Sequence, residues 1–388
     1  SFLNATQNGY VAVELFLVMS GFVIGLAGHS FEDRREQLRF VARRVARLAP
    51  TYYASWFLTL LVYKTLAVKK CRSEYGPWYV VPLDVAMLQS WLNLSFPEAT
   101  WLECHPTVSY LPFILNGPLW YVSTLVGCYV LYALFARIAR TPWRCVAAAG
   151  AFSFCRGLLV FFSTFQERVR TSELTFALLD AYSLSLPGLL KHFPPCAFLG
   201  FLAGAYAGAA SRLFAEEEDD EGVLQWRVWL VADSALLALT LSMVLFTDFA
   251  PVLCPCFCLF VFAATCERQG LVLRALSQPF LVSLAPSTYA AYAFLTPFRA
   301  ALHYSGWDLS LVAVYSWYVV GLVTFALLWE AYVDKRARAF LLASFFPSAS
   351  DDGGASSPSG SGVDLDFKTN HAAYQQHKLK SSNWLLPA

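Results

Sequence analysis

The sequence predicts an all-α, polytopic membrane bundle, and three observations carry that prediction. Hydrophobic residues make up 57% of the 388-residue chain, charged residues only 14%, and the mean hydropathy is +0.49. A soluble domain holds about 25% charged residues and about 45–50% apolar ones, so this chain has too little charge to cover its apolar surface in water. The apolar residues also fall into runs of the length that crosses a bilayer as helix, about 20 residues. Helix is the form that satisfies its backbone groups within one lipid-exposed segment. The near-zero net charge of +1 excludes a strongly basic surface, and with it a nucleic-acid binder.

Nine spans are expected: Tyr10–Gly28, Leu48–Val68, Leu119–Ala136, Trp143–Phe165, Phe193–Ala210, Val228–Phe249, Pro251–Cys266, Leu276–His303 and Leu309–Ala331. The sixth and seventh nearly merge, and Asp248 with Pro251 supplies a turn between them. Pro279, Pro286 and Pro297 predict a bent or broken eighth span. The stretch Trp78–Leu94 is interrupted by Pro82, Asp84, Gln89 and Asn93 and reads as an interfacial or re-entrant segment. From residue 347 to 388, Ser, Gly, Asp and Pro dominate, which predicts a disordered tail after a membrane domain over residues 1–346.

Charge orients the bundle. With the arginine-rich loop 29–47 placed inside, the inner segments carry 16 Lys and Arg and the outer ones six. Residue 1 is then expected on the outer or lumenal side and the C-terminus in the cytosol. The sequons Asn4-Ala5-Thr6 and Asn93-Leu94-Ser95 fall outside, as do Cys71 and Cys104. Cys254, Cys256 and Cys258 alternate in an apolar run with no histidine nearby, and no metal site is expected there.

Several polar residues stand at membrane depth. Glu14 lies in the first span, about one turn from its outer end, where the interface hydrates it. In the same helix Ser20 and Gly21 make a narrow patch that admits a neighbouring helix or a ligand. Arg44 and Arg47 stand three apart on one helix face at the membrane edge. Two guanidinium forks at that spacing suit phosphate groups, or anchor the helix to lipid headgroups. Arg156 and Asp233 are both mid-span and are expected to pair, either as a structural contact or against substrate. Arg299 lies near an outer end and is expected to snorkel.

The run Val13-Glu14-Leu15-Phe16, closing on Ser20-Gly21-Phe22, is followed by Phe40, Arg43-Arg44, Arg47, Pro50 and Tyr52-Tyr53. In order and spacing, this resembles the acyltransferase 3 family of membrane acyltransferases. Leu119-Trp120-Tyr121 through Tyr129, Phe193 through Gly204, and Thr288-Tyr289-Ala290-Ala291-Tyr292 with Pro297 resemble later family helices more loosely. The resemblance implies a fold of about ten helices with both ends in the cytosol. It implies transfer of an acyl group, often acetyl, from acyl-CoA to a hydroxyl of a glycan or lipid acceptor, with no bound cofactor. Arg44 and Arg47 would hold the CoA phosphates, and the helix of Glu14, Ser20 and Gly21 would line the acyl path. The family's first helix carries a basic residue and, eleven positions on, a histidine acting as general base. That helix is expected upstream of Ser1, so nine spans remain here. Leu125 and Leu295 replace an acidic residue and a histidine usual in the family. None of His29, His105, His192, His303, His371 and His377 matches the catalytic position. These departures leave open a second function, that of a non-catalytic relative acting as a lipid or small-molecule transporter.

Overall fold

In a computed structural model, the described residues are 9–29, 31, 33–62, 65, 80–91, 116, 118–135, 141–169, 193–216, 254–255, 257–259, 278–307 and 312–345. Among them every regular element is helical. In chain order these are α1 (Gly9–Ala27), α2 (Arg34–Val62), α3 (Val80–Val85), α4 (Leu119–Phe135), α5 (Pro142–Val169), α6 (Pro194–Glu216), α7 (Pro279–Leu284), α8 (Thr288–Tyr304), α9 (Val312–Trp329) and α10 (Lys335–Phe345). Residues 1–342 form one compact unit; the second, 343–388, is described only at the end of α10. The expected spans at 228–249 and most of 251–266, the tail from 347, both sequons, Cys71 and Cys104 lie outside the described residues.

Three described helices are long and apolar enough to cross a membrane: Pro142–Phe162, Pro194–Phe214 and Ala313–Phe345. Val13–Ala27 and Leu119–Phe135 are apolar but shorter. The second expected span begins inside a longer helix, because α2 runs from its arginine-rich half straight through Pro50. Proline has no amide to give the Ala46 carbonyl, so the two halves of α2 meet at a weakened turn.

Pro279 and Pro286 interrupt the stretch expected to bend or break, whereas Pro297 lies inside a continuous helix. Pro279 opens α7, a 3-10 turn over Ala285–Ser287 interrupts the helix, and α8 resumes at Thr288. The segment after Trp78 is too short to cross. The six-residue α3 ends in a turn with Met87 at φ 55°, followed by a 3-10 turn over Gln89–Trp91. Side chains satisfy this irregular backbone as lipid would require. The Tyr52 hydroxyl donates to the Asp84 carbonyl at 2.6 Å. The Tyr53 hydroxyl donates to the Val85 carbonyl at 2.8 Å, and the Ser90 amide donates to Ser123 Oγ at 3.1 Å.

The core is organised around α6, which packs against α1, α5 and α4. The α1–α6 seam explains its own composition. A Cβ on Gly21 would overlap the Phe201 carbonyl oxygen, and one on Gly25 that of Ala205. Reciprocally, a Cβ on Gly204 would overlap the Val18 carbonyl and one on Gly208 that of Phe22. Each helix therefore presents glycines four residues apart to the other's bare backbone.

On the other side of α2, α8 and α9 meet through Phe294, Phe325 and Trp329, with ring centroids about 5–6 Å apart. After Trp329 the helix widens into a π-turn over Glu330–Asp334. Asp334 Oδ1 accepts the Thr51 hydroxyl at 2.8 Å, and Thr51 accepts Trp329 Nε1 at 2.9 Å. Arg338 bridges Glu330 and Asp334.

Candidate functional site

Ser20 projects from α1 toward α4, within reach of the hydroxyls of Tyr121 and Tyr129. Those tyrosines lie eight residues apart on α4, whose inward face is almost wholly buried. Tyr121 also stands edge-on to Tyr292 of α8 at 6.0 Å. Tyr129 sits in the field of both Arg44 and Arg47. The structure thus brings together, around one tyrosine, the serine and the two arginines singled out in the sequence.

The arginines themselves differ. Arg47 is exposed; Arg44 is half-buried, with its guanidinium carbon 5.5 Å from the Phe40 ring centroid. Burial, reinforced by Arg47, lowers the Arg44 pKa from its ordinary value, although Tyr129 opposes the shift. No carboxylate among the described residues pairs with either arginine. A crowded, uncompensated pair of cations is a standing demand for an anion. Just beyond Arg47, Tyr289 of α8 donates to the Leu48 carbonyl at 3.0 Å and fixes α2 beside the tyrosine cluster.

Gly21, expected in the acyl path beside Ser20, faces α6 and belongs to the glycine seam. The adjacent residues point in different directions because each helical step turns the side chain by about 100°. Ser20 alone of the two faces the tyrosines.

Glu14 corrects the expectation that the interface hydrates it. It is 9% exposed and forms an ion pair with Arg156 of α5, which is 0% exposed. Arg156 Nε also reaches Glu14 Oε2 at 3.3 Å. The expected partner, Asp233, lies outside the described residues; the described carboxylate on Arg156 is that of Glu14. Gly200 leaves room for the pair, since a Cβ there would sit 3.5 Å from Arg156 Cγ and 3.6 Å from Glu14 Oε2. Arg299, expected to snorkel, is exposed.

At the arginine-bearing end, sequence reasoning gave His29 no site role and passed over Tyr132 and Arg212 beside it. His29 follows α1, stacks on Phe31 at 6.2 Å and meets Phe40 edge-on at 5.3 Å. Burial and the nearby Arg44 and Arg43 lower its pKa below the ordinary 6.5. Tyr132, one turn beyond Tyr129, packs on Phe31 and Phe40. Arg212 of α6 lies over Gly28, where a Cβ would come within 2.8 Å of its Cζ. The only trace of this in the sequence is Gly28 itself, held at φ 66°.

The family profile described as an acyltransferase domain, that of acyltransferase 3, matches residues 1–333. The chain belongs to the acyltransferase 3 family. It is also similar to the acyltransferase MdmB of Streptomyces mycarofaciens, at 26% identity over 158 residues. That match covers 39% of this chain and 36% of MdmB, so the chain aligns with about a third of the curated relative's length. No solved structure matches the chain. The family is one of membrane-integral proteins, and the apolar helices of this chain agree with that.

Proposed function

We propose that this protein is a multi-pass membrane O-acyltransferase that takes an acyl group, in the simplest case acetyl, from acyl-CoA and delivers it to a hydroxyl of a glycan or lipid acceptor. One observation carries the reading: Arg44 and Arg47 flank Tyr129, which lies within reach of Ser20. A phosphate held by the two guanidinium groups would direct the rest of the donor along α4 toward Ser20 and Tyr121. Family membership and the similarity to an acyltransferase support the transfer chemistry.

In this reading the side chains have separate tasks. Arg44 and Arg47 bind the diphosphate by charge-assisted hydrogen bonds. Ser20, Tyr121 and Tyr129 supply hydroxyls along the path of the thioester arm and hold its carbonyl by hydrogen bonds. The tight α1–α6 seam keeps that wall from shifting and keeps water out from behind it. The Glu14–Arg156 pair fixes α1 against α5 rather than touching the donor. Nine spans, an inner arginine face and a cytosolic C-terminus complete the proposal and let a cytosolic donor reach the arginines.

Replacing Arg44 and Arg47 together by alanine is expected to raise the KM for acetyl-CoA about ten- to a hundredfold, with a smaller fall in kcat. Steady-state kinetics in proteoliposomes, following acetyl transfer to a glycan or lipid acceptor, measures this. An unchanged KM removes the arginines from donor binding. Acetyl-CoA binding with no transfer to any acceptor would favour the non-catalytic alternative.

A further inference from the structure

We propose that Arg212, with Tyr132 and His29, forms a second anion site next to Arg44 and Arg47, and that it holds the ribose 3′-phosphate of the CoA donor. This inference rests on the donor reading above and extends it to a helix, α6, that carries no arginine in the expected clamp.

The argument begins with polar atoms left without partners. Tyr132 is 1% exposed, yet its hydroxyl has no hydrogen-bond partner among the described residues. His29 Nε2 is likewise buried without one. Leaving a buried polar atom unpaired costs about 1–3 kcal/mol, so two of them in one place point to a ligand that completes them. Both atoms can donate, and cations surround them. Arg43 and Arg44 act on His29, and Arg212 acts on Tyr132. Two donors among arginines match phosphate oxygens, which only accept.

Position selects which phosphate. Tyr132 follows Tyr129 by three residues on α4, about 4.5 Å farther along the helix and away from Tyr121. CoA places its groups in the order thioester, pantetheine arm, diphosphate, ribose phosphate. With the thioester at Ser20 and the diphosphate at Arg44 and Arg47, the next phosphate falls beside Tyr132. Gly28 makes this geometry accessible, because the Arg212 guanidinium crosses its backbone where any side chain would stand.

Isothermal titration of the purified full chain with CoA and with 3′-dephospho-CoA tests the assignment. The wild type is expected to bind CoA about tenfold or more tightly than the dephospho form. Arg212→Gln is expected to bind the two equally while keeping the wild-type affinity for dephospho-CoA, which also shows that the variant is folded. Arg212→Lys should retain part of the preference, and Tyr132→Phe should reduce it about threefold. A wild type without preference, an Arg212→Gln variant that keeps it, or one that loses both ligands equally overturns the inference. Failure of the donor reading looks different. In that case the wild type binds neither ligand, or the Arg44→Ala, Arg47→Ala double variant binds both unchanged.

Discussion

The α1–α6 seam and the end of the bundle where α2 meets α4 lie in one compact unit but are built in opposite ways. At the seam, Gly21, Gly25, Gly204 and Gly208 bring backbone against backbone, with the Glu14–Arg156 pair one turn farther along over Gly200. At the α2–α4 end, Phe31, Phe40, Tyr129 and Tyr132 stand edge to edge, arginines lie over them, and buried polar atoms of His29 and Tyr132 remain unpaired. The first arrangement is closed by its own backbone, and the second keeps buried polar atoms without partners among the described residues. The two kinds of packing thus fall on two faces of α1: Gly21 and Gly25 serve the seam, and Ser20 turns to the tyrosines.

The largest effect should come from filling the seam. Gly204→Leu would force its side chain into the Val18 carbonyl, and neither backbone can retreat without unpacking α1. A loss of more than about 3 kcal/mol is expected, seen as absence of a monodisperse peak in detergent size-exclusion chromatography. Gly200→Ala, one turn away on the same helix, meets only ordinary contacts at 3.5–3.8 Å and should change stability by less than about 1 kcal/mol. If both variants behaved alike, close packing at the seam would not be the reason for its glycines.

Next in size is the buried ion pair. Glu14→Ala removes the described carboxylate from Arg156, which is 0% exposed, and should cost about 3–5 kcal/mol in thermal or denaturant stability. Glu14→Ala with Arg156→Met removes both charges and should recover most of that loss. Failure of the second change to rescue the first would show that the charge was not what α1 and α5 shared.

The smallest effect concerns pH. Because the folded pKa of His29 lies below 6.5, the folded chain binds fewer protons there than the unfolded one. The contribution of His29 to stability is present above pH 6.5 and is lost as pH falls through the lowered value. An anion bound beside the ring opposes the shift, so donor binding should take up a proton and tighten as pH falls. His29→Gln should flatten both trends, in melting curves and in CoA titrations. A pH slope unchanged in His29→Gln would assign the proton to another group.

Legibility in the sequence followed the range of the physics. Helices, the interruption of the helix at Ala285–Ser287 and the short, irregular stretch after Trp78 were readable because proline and apolar length act locally. That Arg44 and Arg47 act at one place was readable because three-residue spacing fixes their common face, and both act on Tyr129. Glu14 and Arg156 were both flagged as costly charges, but their pairing depends on which helices touch, 142 residues apart in sequence. The glycine seam was half visible, since Gly21 with Gly25 and Gly200, Gly204 and Gly208 each repeat every four residues. What no single segment shows is that the two repeats face each other. Arg212 and Tyr132 were invisible for the same reason: neither is unusual until α6 and α4 are placed beside Gly28.

The π-turn at Glu330–Asp334 has a consequence for alignment. In an α-helix, residues four apart overshoot a full circle by about 40°, so a file of three side chains at that interval drifts around the cylinder. A π-turn closes one residue later, and its four-residue step stops short of the circle instead. One step of each kind nearly cancels, and Glu330, Asp334 and Arg338 come into a single file in which Asp334 also reaches Thr51. The wide turn works like a one-residue insertion that resets the helix's angular register. Deleting one residue within 330–334 would restore a regular helix, swing Arg338 out of line and separate the two carboxylates from their shared cation.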